Sequence, residues 1–225
     1  MKVNFPSPNA DAIWKMSLVG GRTCLDFTNT VNVRDSDQSR DSLESYGDLL
    51  HWAVHAGILA SAQAHDLNTS AGRDPDAAAR ALRKAIELRE VIFRIFRAIA
   101  AGSAPSHEDL VLFNRHFSAA MSHASITPQN DRYAVGFDTR SALDGLLAPI
   151  AWSAAELLRD ASSARVKECD GEACGWLFLD TSKNHSRRWC EMRDCGNRAK
   201  AHRHYQRLRR GSKKGRESPT RRREA

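Results

Sequence analysis

The 225 residues are 41% hydrophobic, an ordinary fraction for a soluble chain long enough to bury a core, as one domain or two small ones. No apolar run reaches 18 residues and Met1–Pro6 lacks an apolar signal stretch, so the reading excludes a membrane span and a secretory leader. The net charge of +7 is segregated: residues 187–225 hold 15 Lys+Arg against 4 Asp+Glu, and the rest of the chain 19 against 23.

Residues 1–12, with Pro6 and Pro8, read as an extended lead-in. Gly20-Gly21 makes a turn, and Leu25, Phe27 and Val31 enter a core. Asp26, Asn29, Thr30 and Arg34 are unusually polar company for such a segment. Buried polar groups need partners, so these either cap neighbouring backbone or line a small pocket. The Gly-Lys-Ser/Thr of a phosphate loop is missing after Gly20-Gly21. Cys24 reads as a lone buried thiol.

Ser42 is the expected N-cap of a helix carrying Leu43, Tyr46, Leu49, Leu50 and Ala53 and closed by Gly57. His51 and His55 lie one turn apart on it, but Trp52 stands where a zinc-protease pattern needs glutamate, so the pair belongs to solvent or the core edge. A short helix follows from Ser61 to about Asn68. Asp74-Pro75 starts the longest helix, whose face of Leu82, Ile86, Arg89, Ile92, Phe93, Phe96 and Ile99 opposes a wet side; Gly102 ends it. Ser106 opens another helix with Leu110, Phe113, Phe117 and Met121 at core-packing spacing. Tyr133, Val135 and Phe137 alternate as a strand beyond an Asn130-Asp131 turn. Ser141 caps the last body helix, which Pro149 should kink.

Four cysteines then fall in two pairs, Cys169/Cys174 and Cys190/Cys195. Each pair has four residues between its members, and fifteen residues separate the pairs. Four thiolates close a tetrahedral shell around Zn(2+) and leave no position for substrate water, so the site is structural and the chain is expected not to be an enzyme. Unsecreted thiols fit a reducing compartment, the cytoplasm. Gly171 and Gly175 suit a tight turn at the first pair. Trp176–Leu179 reads as a strand and Lys183-Asn184 as the turn of a hairpin.

The segment after Cys195 has helical composition and is densely basic. Arg193, Lys200, Arg203 and Arg207 recur along one face; Arg198, Arg209 and Arg210 flank it, and Arg187 and Arg188 precede it. Ala199, His202, Tyr205 and Leu208 are left to cover the hairpin side. A rigid helix with such a stripe fits the major groove of double-stranded DNA, with arginine bridging phosphates or reaching guanine edges. An acidic protein partner is the other reading of the same stripe.

Cys190-Glu-Met-Arg-Asp-Cys195-Gly196-Asn197-Arg198, with the first cysteine pair and the Trp189-Cys190 step, resembles the CGNR zinc-finger family. Gly21, Leu25-Asp26-Phe27 and Asn29-Thr30 resemble ABATE, the domain usually found before it. The resemblance implies a bacterial, stress-induced transcription regulator, with Cys169, Cys174, Cys190 and Cys195 as zinc ligands.

The expected fold class is therefore mainly α. A helical domain with a small β-hairpin (13–160) precedes a treble-clef-like zinc module of hairpin and helix (165–211) and a basic disordered tail (212–225). The module docks its helix on DNA while the body senses a small-molecule effector or forms a homodimer. A second reading makes the body a small-molecule receptor or enzyme with Arg22, Asp26, Asn29 and Arg34 lining its site.

Overall fold

The computed structural model describes residues 3–34 and 37–214, with side chains as far as Arg207. The chain is mainly α, as its periodicity predicts, and the described residues include three two-stranded antiparallel sheets.

A short helix α1 (Ala10–Lys15) and α2 (Thr23–Thr28) precede a two-residue ladder of β1 (Val31–Asn32) with β2 (Arg40–Asp41). Helix α3 (Tyr46–His55) starts later than the sequence suggests. Its N-cap is Ser45, which accepts from Asp48 N–H while the Asp48 carboxylate accepts from Ser45 N–H. This reciprocal box satisfies two helix-end donors, and Ser42 and Leu43 are left as buried residues of the preceding turn. Helix α4 (Ser61–Arg73) runs one turn beyond the expected end.

Helix α5 (Pro75–Ala100) is the axis of the body. Asp74 accepts from Ala77 N–H and Pro75 occupies the first turn, where its missing N–H costs nothing. Arg89, Ile92, Phe93 and Phe96 of the expected face are buried, but in its first half Ala78, Ala81, Ala85 and Leu88 lie inside while Leu82 and Ile86 are half-buried. The small residues let α2, α3, α4, α6 (His107–Met121) and α7 (Leu147–Arg159) all reach α5. Pro149 sits in the first turn of α7, which starts six residues after Ser141, so it has no intrahelical bond to break and no kink to cause. Between α6 and α7 stand β3 (Ala124–Gln129) and β4 (Arg132–Phe137), turning at Asn130 with φ 54°.

A 3-10 turn (Ala161–Arg165) leads directly into β5 (Val166–Glu168), whose partner is β6 (Leu177–Leu179). The expected hairpin around Lys183-Asn184 is not the one formed: β6 pairs upstream, across the cysteine knuckle. The return segment instead follows side-chain holds: Lys167 Nζ and Arg187 N–H both reach the wholly buried Asp180 carboxylate, at 2.7 and 2.9 Å. Val166, Leu177 and Leu179 belong to the same buried cluster as α5. The metal module is thus built onto the body's core, not tethered beside it.

Candidate metal centre and nucleic-acid interface

The first cysteine pair brackets a knuckle in which Ala173 (φ 58°) and Gly175 (φ 68°) adopt left-handed backbone and Cys174 N–H reaches Gly171 O at 3.0 Å. Gly171 is required for a different reason from the expected one. A Cβ there would stand 3.0 Å from Cys195 Sγ and 3.3 Å from Cys169 Sγ. Two residues after Cys190 begins a π-helical turn, Met192–Gly196, that carries Cys195 and runs straight into helix α8 (Asn197–Lys214).

The four sulfurs all lie within 4.8 Å of one another, with Cys174–Cys190 at 3.7 Å and Cys190–Cys195 at 3.6 Å. A tetrahedron with metal–sulfur bonds of about 2.3 Å has edges of about 3.8 Å, so the residues fit a closed four-thiolate site. The surroundings suit anionic sulfur. Cys169 Sγ accepts N–H bonds from Gly171 at 3.3 Å and Cys190 at 3.2 Å, and Cys195 Sγ accepts one from the Arg198 guanidinium at 3.1 Å. Thiol donation from Cys174 and Cys190 carries Cys169 far below the ordinary thiol value, while the bond to Cys169 raises Cys174 to about 12. The protons so shared are those a metal displaces. Cys24, by contrast, is wholly buried and pushed up to about 12 by desolvation, an inert thiol.

The last three residues of the Cys195–Arg198 tetrapeptide each have a local task. Gly196 leaves room for Met192, Asn197 Nδ2 donates to Arg193 O at 3.0 Å, and Arg198 joins Cys195 Sγ to the Asp194 carboxylate.

The basic residues divide into two groups. Arg187 is turned inward: its guanidinium donates to Trp189 O and Cys190 O and lies 4.3 Å over the Phe178 ring. Half-buried, it staples the module from within. Arg188 is exposed but paired with Asp170 at 2.7 Å. Arg193, Lys200 and Arg207 are exposed with no partner among the described residues, and Arg203 is exposed with one bond back to Ala199 O. Arg209 and Arg210 lie on α8 with side chains outside those described. So does Leu208; Tyr205, expected to cover the hairpin, is 66% exposed. Every residue from Lys200 to Arg207 is exposed; α8 leaves the module after its second turn, where His202 Nδ1 stands 3.7 Å from the Glu172 carboxylate and Arg203 lies 5.9 Å from the Trp189 ring, and projects beyond it as a basic rod. Residues 215–225, most of the expected disordered tail, lie outside the described ones.

The four expected ligand residues are not brought together. Arg22 and Asp26 line one open groove with Trp152, Ser153 and Glu156. Asn29 instead grips β6, donating to Leu177 O and accepting from Leu177 N–H, both at 2.9 Å. Arg34 reaches Thr28 O at 2.8 Å and Glu90 at 2.6 Å, and stacks 3.9 Å over Phe93. Desolvation raises the Asp26 carboxyl to about 6, against the lowering hydrogen bond from Gly20 N–H. Sequence reasoning missed Trp176, whose indole donates to Val31 O at 3.1 Å, and the Asp180 cluster; isolated aromatics and acids carry no spacing signal.

Comparison with known families agrees with this geometry. Residues 165–208 match the CGNR zinc-finger model, and residues 21–161 match the ABATE model, described as "Putative stress-induced transcription regulator". No curated protein matches the chain. With well over half of its length covered by the first of these models, the chain belongs to the ABATE family and carries a CGNR zinc finger as its C-terminal module.

Proposed function

We propose that the chain is a zinc-dependent, non-catalytic DNA-binding regulator of the cytoplasm in which the four-cysteine site anchors α8 for docking on double-stranded DNA. The observation that carries this reading is the exposed stripe of Lys200, Arg203 and Arg207 on a helix fastened at its root to the Cys190–Cys195 turn. Zinc is favoured over other metals by four thiolates at tetrahedral spacing, and a closed shell favours a structural over a catalytic role. The small-molecule reading narrows to the groove of Arg22 and Asp26, since Asn29 and Arg34 are engaged elsewhere.

The test is duplex binding by fluorescence anisotropy across ionic strength. Four phosphate contacts correspond to a loss of about a hundredfold in affinity between roughly 50 and 200 mM salt. Arg203→Glu with Arg207→Glu should abolish binding while the zinc content stays unchanged. A flat salt response, or retained binding by the double variant, would contradict the reading. Binding to an acidic protein but not to duplexes would transfer the same stripe to a protein partner.

A further inference from the structure

Strands β3 and β4 form an arm, residues 124–137, whose two strands pack almost only on each other. Their register puts Ile126, Pro128, Tyr133, Val135 and Phe137 on one face. At the root that face is covered, where the Phe137 ring lies 6.3 Å from that of Trp152 on α7. Towards the tip it is bare: Ile126 is 67% exposed and Tyr133 78%. A two-stranded hairpin left to itself is only marginally stable in water, so such a face calls for a cover. Phe137 and Trp152 also line an open groove of about 470 Å³, together with Pro149 and the exposed Arg22 and Glu156. Among the described residues, the side chains of Asp131, Tyr133 and Glu156 have no hydrogen-bond or ion-pair partner.

We propose that the arm is a dimerisation element: two copies of the chain lay their arms antiparallel, apolar face on apolar face, so that each tip enters the groove at the other's root. The occupant is a second copy because the chain carries both halves of the contact and cannot join them within itself. Six strand residues span about 20 Å, so an arm rooted at Phe137 holds its tip that far from its own groove. A two-fold axis between antiparallel arms brings tip to root twice and closes the assembly. Tyr133 of each copy then meets Trp152 of the other, with its hydroxyl turned to Glu156. Charge agrees with this pairing. The arm's only ionised residues, Asp131 and Arg132, stand at its tip, one of each sign. The exposed ionised residues of the groove are likewise one of each, Arg22 and Glu156, and Asp131 falls to Arg22. An arm with no net charge has little to offer a polyanion, which argues against duplex DNA as its cover. The groove thereby gains a protein occupant in place of a small molecule, and neither the zinc site nor DNA binding is needed for the contact.

The test follows the mass of the full chain, freed of nucleic acid, by sedimentation equilibrium at low ionic strength. A species of twice 25.0 kDa is expected. Tyr133→Ser should weaken dimerisation by about thirtyfold or more, the loss that follows removal of a buried aromatic anchor. Asp131→Arg and Arg22→Asp each set like charges against each other at both contacts of their own dimer, and each should weaken it by about tenfold. Mixed, these two chains form a pair in which both contacts carry opposite charges, so the dimer should return at a concentration where each alone is mainly monomeric. All three substituted residues are exposed, so helical signal and zinc content should stay unchanged. A chain that remains monomeric at about 100 μM overturns the proposal. So does a dimer indifferent to Tyr133→Ser, which joins through another face. Charge variants that stay monomeric when mixed overturn the meeting of tip and groove. Duplex affinity lost in Tyr133→Ser at unchanged dimer mass would make the arm a nucleic-acid contact instead.

Discussion

Gly171 shows how a single missing carbon shapes the metal centre. Its hydrogen faces two of the four sulfurs at distances where a methyl group must displace them. Gly171→Ala should therefore lower zinc affinity by about tenfold or more, read by competition with a chromogenic chelator, while leaving the body's helical signal unchanged. Asp26 is the residue whose ionisation weighs on stability. Its carboxyl, raised by desolvation to about 6, binds a proton in the folded chain at pH values where the unfolded chain has already lost it. Its contribution thus makes the fold more stable as pH falls from about 6 towards the ordinary carboxylate value, and adds nothing further below that. Asp26→Asn keeps an oxygen for Gly20 N–H and removes the ion, so it should stabilise the protein by about 1–3 kcal/mol at neutral pH and flatten the slope of denaturation midpoints between pH 4 and 6. Spacing made the four ligands legible in the sequence, because paired cysteines at fixed separation have few other uses. It could not show that Arg187 folds inward or that Asn29 holds a strand 148 residues away. Those roles depend on what happens to face them, and only the fold decides that.

Among the elements, the longest periodic helices were read best. Helix α5 begins at Asp74-Pro75 and α6 at Ser106, as their caps indicate. Errors gathered where two starts compete or where pairing is non-local. Ser42 and Ser45 both resemble caps, and the capping box with Asp48 decides for the second. Strand β6 has turn residues on both sides, and its choice of β5 follows from the knuckle drawing Cys169 N–H to Trp176 O at 2.9 Å. The β5–β6 hairpin depends on Asn29 for its hold on α2. Asn29→Ala leaves a buried N–H and a buried carbonyl of Leu177 unpaired, and should cost about 2–3 kcal/mol in chemical denaturation. An unchanged midpoint would mean that water replaces the amide there.

At the scale of the whole molecule, the two family matches meet between residues 161 and 165, yet the core does not divide there. Val166, Leu177 and Leu179 are buried in one cluster with α5, α2 and α7. Removing the metal should therefore unsettle the body as well. Chelation is expected to lower the melting temperature of the full chain by about 10 °C or more in a single transition, followed by circular dichroism and tryptophan fluorescence together. Two separate transitions, with the body's unmoved, would show that module and body fold independently. The free-standing course of α8 carries a mechanical consequence. Eighteen residues make a lever of about 27 Å, held at its root by Cys195 and Arg198 and in its second turn by His202 against Glu172 and Arg203 over Trp189, so a tilt of roughly 10° about the root sweeps the far tip through about 5 Å. Displacements too slight to disturb the sulfur tetrahedron are thereby magnified at the tip to nearly the spacing of successive phosphates along a strand.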